Sequence, residues 1–115
     1  MKKLASKEEI DKTLNKWVKM LEDPEVAEEF EDYNKTLQFV FSDVDYKLKM
    51  IFKDKKARLE DGSDENAEMT LEIKSDYFVG IADGTVDPME LFMEGAIIIK
   101  GDMNAIQRLE VFMDL

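Results

Sequence analysis

The spacing of apolar residues between Leu37 and Ile73 constrains this chain more than any other feature. Leu37, Phe39 and Phe41 alternate with Gln38, Val40 and Ser42, and Tyr46, Leu48, Met50 and Phe52 alternate with Lys47, Lys49, Ile51 and Lys53. A period of two sorts side chains onto the two faces of a pleated strand, so this part of the chain reads as sheet rather than helix. Ser42-Asp43-Val44-Asp45 and Asp54-Lys55 supply turns. Ala57 and Leu59 mark a weaker strand, and 61–66 is a loop before Ala67, Met69, Leu71 and Ile73 alternate again. The expectation is a meander of four consecutive antiparallel strands within 35–74, wet on one face and covered on the other. Lysines of the second strand can face glutamates of a neighbour as cross-strand pairs.

The segments on either side carry the helical period that could supply the cover. In 1–34, Ser6 with Glu9 forms a capping box, and Ile10, Leu14, Trp17 and Leu21 then share one helix face. Asp23 and Pro24 open a second short helix with Val26, Ala27 and Phe30 on one side, and its acidic run reads as a solvated face. In 75–115, Ser75 is the expected cap of a helix bearing Tyr77, Phe78, Val79 and Ile81, closed by Asp83-Gly84. Asp87-Pro88-Met89-Glu90 opens another helix through Leu91, Phe92 and Met93, which Gly95 ends. Ala96 to Lys100 reads as a strand apolar and covered on both faces. Beyond Gly101, Asp102 is the expected cap of a last helix bearing Met103, Ile106, Leu109, Phe112 and Met113, widened by Val111 and Leu115. The fold class is therefore α+β: one domain over 1–115, with N- and C-terminal helices covering one face of a largely antiparallel sheet.

Composition excludes several functions. A net charge of −11 argues against a nucleic-acid partner and against docking on anionic lipid. The absence of cysteine and histidine removes thiol nucleophiles, disulfides, imidazole catalysis and Cys/His metal sites. No catalytic residue, metal or cofactor is expected. The pairs Asp43 with Asp45 and Asp61 with Asp64 sit in turns and read as turn formers rather than acid–base or metal-binding pairs. Five scattered glycines form no phosphate-cradling loop. The first residues contain no apolar run, so a cytoplasmic protein without stable membrane insertion is expected. The eight methionines leave two readings open: ordinary core filling, which composition favours, or the adaptable wall of an apolar cavity.

One string goes further. Phe92-Met93-Glu94-Gly95-Ala96-Ile97-Ile98-Ile99-Lys100-Gly101-Asp102-Met103 resembles the signature F-x-x-G-x-ϕ-x-ϕ-x-G-[DN]-M of the sterol carrier protein, non-specific lipid-transfer family. The order of elements from Tyr46 onward is similar as well. The resemblance implies a sheet of about five strands forming the floor of an apolar tunnel, with helices as walls and lid. It implies a lining of Met50, Phe52, Met69, Leu71, Tyr77, Phe78, Ile81, Phe92, Met93, Ile106, Leu109, Phe112 and Met113. It also implies a non-enzymatic binding or carrier protein for a hydrophobic small molecule or lipid, such as a fatty acyl chain, acyl-CoA, sterol-like or isoprenoid compound. The Ser-Lys-Leu ending of several family members is absent, so no peroxisomal address is expected. The alternative is a protein-interaction or dimerisation module without ligand, packing its C-terminal helix on a partner or as a homodimer.

Overall fold

The computed structural model describes residues 7–102 and Phe112. The elements follow in the order α1 (Lys7–Met20), α2 (Pro24–Glu28), β1 (Thr36–Phe41), β2 (Tyr46–Lys53), β3 (Lys56–Asp61), β4 (Met69–Glu72), α3 (Ser75–Ala82), α4 (Pro88–Met93) and β5 (Ile98–Gly101).

Strands β1, β2 and β3 form the expected meander. Asp54 and Lys55, with φ of 54° and 64°, make the tight β2–β3 turn, whose positive-φ geometry matches the twist of the paired strands. Lys49 reaches Glu60 across the pair at 3.6 Å, and Arg58 meets the same carboxylate at 2.8 Å. The fourth strand departs from expectation. The sheet order is β3-β2-β1-β4-β5, and β4 runs parallel to β1, pairing Leu37 with Met69 and Phe39 with Leu71. The chain therefore leaves the β3 edge and crosses two strands before pairing again.

Gln38 fastens that crossing. It points to the face opposite Leu37 and Phe39, yet it is only 3% exposed. Its Nε2 donates to the carbonyls of Leu48 and Gly62, both at 3.1 Å, and its Oε1 accepts from the Asp64 N–H at 2.6 Å. The crossover loop is thus fastened over the sheet by one buried amide whose donors and acceptor are satisfied. Alternation identifies the face a residue occupies but not its neighbouring strand, and the meander expectation failed there.

Strand β5 pairs antiparallel with β4 and forms the edge. It is covered on one face only, in contrast to the expectation of two: Ile97 is buried and Ile99 half-buried, whereas Ile98 is 45% exposed. Gly101 has φ of +94°, and a Cβ there would run into the Glu68 carbonyl, so only glycine fits. The same carbonyl accepts from the Asp102 N–H at 2.8 Å.

The helices lie on the inner face, where Leu37, Phe39, Phe41, Leu48, Met50, Phe52, Met69, Leu71 and Ile73 are buried. Helix α1 buries Ile10, Leu14 and Trp17 as its periodicity requires, while the Ser6 cap lies outside the described residues. Asp23 caps α2, accepting from the Glu25 N–H at 3.0 Å, and Asp87 caps α4, accepting from Met89 at 2.9 Å. Ser75 does not cap α3. It is the first helical residue, and its N–H and Oγ–H donate to the Asp43 carboxylate at 2.9 and 2.7 Å, so the β1–β2 turn caps the helix from across the fold. At the C-terminus, Phe112 is helical and buried, while the expected positions of Met103, Ile106, Leu109, Val111, Met113 and Leu115 lie outside the described residues.

Candidate ligand-binding groove

The ring of Phe112 sits at the junction of core and surface. It stacks on Phe30 at 5.0 Å between centroids and on Phe52 at 6.2 Å, and it lies nearly parallel to Trp17 at 5.3 Å. Trp17 in turn meets Phe78 edge-on at 5.3 Å. These offset and edge-to-face contacts are the geometries that aromatic quadrupoles favour, each contributing about 0.5–1.5 kcal/mol beyond area burial.

Outside this cluster opens a groove of about 510 Å³ between α1 and the C-terminal half of α3. Trp17, Val79, Ala82 and Phe112 give it an apolar floor, and Lys12, Lys16 and Lys19, with Thr13 and Asn15, form its rim along α1. The three lysines recur at steps of four and three, so they share a face of the helix. Asp83 is the one carboxylate among the described lining residues. In a chain of net charge −11, the groove is a local reversal of sign. A cavity of this size, apolar below and polar at the mouth, has the character of a small-molecule site.

Helix α1 is tied to the sheet beside this groove. The Tyr46 hydroxyl donates to Asp11 at 2.5 Å and lies 3.4 Å from Asp61, and the Lys7 ammonium sits 5.2 Å from the ring centroid. Burial, followed by the Asp11 carboxylate, pushes the Tyr46 phenol well above the ordinary tyrosine range. A smaller depression of about 320 Å³, lined by Glu31, Asp32, Asn34, Asp54 and Lys55, has no apolar wall. Among the described residues no group of three acidic side chains could hold a metal ion.

The residues expected to line a tunnel are distributed differently from one another. Met50, Phe52, Met69, Leu71, Phe78 and Ile81 are buried in the core, and Tyr77 is half-buried against it. Phe92 and Met93, expected on the inward side, are 46% and 79% exposed, because Leu91 is the residue of α4 that turns inward. Ile106, Leu109 and Met113 lie outside the described residues. Of the expected set, Phe112 alone lines the groove among the described residues. Sequence reasoning missed Lys12, Lys16, Lys19 and Val79, and it assigned Trp17 only to core cover. The signal available was the lysine row flanking Trp17 on an amphipathic helix.

A five-stranded mixed sheet with helices packed against it defines a small α+β domain. The chain belongs to the SCP-2 sterol transfer family, whose family model matches residues 14–114, and lipid binding or transfer is the general function of that family. No curated protein sequence matches. Among solved structures, the sterol carrier protein domain 2 of Helicoverpa armigera is similar with a TM-score of 0.67 at 20% identity, over 98% of this chain and 93% of that one. Sterol carrier protein 2 of Aedes aegypti, solved with the C16 fatty acid palmitate, gives a TM-score of 0.56 at 22% identity, over 76% of this chain and 86% of that one. A sec-alkylsulfatase from Pseudomonas sp. gives a TM-score of 0.64 at 20% identity over 77% of this chain, which spans only 14% of the enzyme's length. At these identities the likeness is one of fold. No described helix is long and apolar enough to cross a membrane.

Proposed function

We propose that this domain is a non-enzymatic, cytoplasmic binding protein for an amphipathic ligand with an acyl chain, seated in the groove between α1 and α3. The observation that carries the reading is the position of Phe112, which lines the groove and also stacks on Phe30 and Phe52. A chain entering over Trp17 meets this ring first. Displacing it would lead the chain on toward Phe52 and Met50, the inward sheet residues that the family resemblance implies as lining. Burial drives binding at about 25 cal/mol per Å² of apolar surface, and the ring's displacement offsets part of that gain. Lys12, Lys16 and Lys19 at the rim favour a carboxylate or other anionic head outside the apolar floor. The palmitate complex of the Aedes aegypti relative supports the choice of ligand class.

The test is native mass spectrometry of the protein mixed with palmitate, with the Lys12→Gln, Lys16→Gln, Lys19→Gln triple variant in parallel. The wild type is expected to hold one palmitate and the variant to hold it more weakly. Equal retention by both would place the head elsewhere, and no retention by either would remove the reading.

A further inference from the structure

We propose that this domain associates head to tail with further copies of itself, the exposed face of α4 in one copy seating in the lysine-rimmed groove of the next. Met89, Phe92 and Met93 fall at steps of three and one, on one side of α4, and are 63%, 46% and 79% exposed. Large apolar side chains so exposed on one short helix mark a docking surface rather than the scattered apolar exposure of an ordinary protein surface. Asp87, Glu90 and Glu94 surround them, and no lysine or arginine occurs anywhere from Ser75 to Ile99. The face therefore wants an apolar recess with a basic rim.

The protein carries such a recess itself. Lys12, Lys16 and Lys19 border a floor that includes Trp17, Val79 and Phe112, and about 510 Å³ accommodates an aromatic and a thioether side chain. The acidic rim of α4 meets the basic rim of the groove, whereas two α4 faces brought together would place like charges side by side. Knob and socket are different surfaces of one chain, so the contact is heterologous and propagates instead of closing as a two-fold dimer. Three side chains form a contact well below the area of a stable dimer, so association is weak and depends on concentration.

Sedimentation velocity of the full chain from micromolar to millimolar concentration tests this. The wild type is expected to sediment faster as concentration rises. Met93→Lys, at an exposed position, is expected to remain monomeric. Lys16→Glu and Glu90→Lys each place like charges at the contact and are expected to be monomeric alone. Mixed in equal amounts, they restore opposite charges at both contacts and are expected to associate. A wild type that stays monomeric overturns the proposal. So does association unaffected by Met93→Lys, which would point to another face, or wild-type binding to phosphatidylcholine vesicles in place of self-association. Added palmitate is expected to dissociate the assembly; that arm alone rests on the ligand reading above, and the charge-swap mixture does not.

Discussion

Replacing Phe112 with alanine removes the ring that joins groove to core. The ring is buried and stacks on Trp17, Phe30 and Phe52. Phenylalanine-to-alanine changes in protein cores cost about 3–5 kcal/mol, from lost transfer free energy plus the cavity left behind. Because one side of this ring borders an open groove, the neighbours can settle and water can enter, so the lower end, about 3 kcal/mol, is expected. A chain of this length has a stability of about 6–17 kcal/mol, at roughly 0.05–0.15 kcal/mol per residue, so the variant stays folded. Its melting temperature should fall by about 12 °C, at roughly 4 °C per kcal/mol. Urea denaturation with circular dichroism measures the loss, and Phe112→Leu should recover most of it. A loss below about 1 kcal/mol would show that the ring is not docked on the aromatic cluster, and the plug between groove and core would go with it.

Other expectations follow from single contacts. Tyr46 has its phenol held protonated, so its contribution to stability is fully present below the ordinary tyrosine value of 10.0 and is lost as pH rises through the higher folded-state value. Absorbance titration should show one tyrosine ionising only on alkaline unfolding, and Tyr46→Phe should flatten the fall in stability above pH 10. Gly101→Ala should cost more than about 1 kcal/mol, since it combines a disfavoured φ with a clash against the Glu68 carbonyl, and thermal unfolding should report it. Gln38→Leu removes the fastening of the crossover loop and leaves buried partners unsatisfied, at about 1–3 kcal/mol. Hydrogen exchange at the Asp64 amide should rise with it.

What the sequence could convey follows from the range of each signal. Periodicity is local, and the helices of 7–28 and the alternating faces of β1, β2 and β4 agree with it because each is determined within a few residues. The parallel pairing of β4 with β1 needs a crossover loop, which Gln38 holds from mid-strand across a separation of 24–26 residues, a contact that no alternation encodes. Asp43 reads as a turn former, yet it also caps α3 from 32 residues away. The family string 92–103 identified the fold, but its match of letters could not show that Phe92 and Met93 face outward. The groove was hidden for a related reason. Its floor comes from α1, α3 and Phe112, elements remote in sequence, and its rim lysines look like any solvated helix face until the packing sets them beside Trp17.

Trp17 is the only tryptophan in the chain, and it lies in the groove, so its fluorescence reports occupancy directly. The most direct test of the account is titration with palmitate brominated along its chain, which quenches an indole in contact with it. The expected result is saturable quenching at one ligand per chain, reversed by unlabelled palmitate and weakened in the Lys12→Gln, Lys16→Gln, Lys19→Gln variant. Unchanged Trp17 emission while native mass spectrometry shows palmitate bound would place the ligand elsewhere and contradict the account.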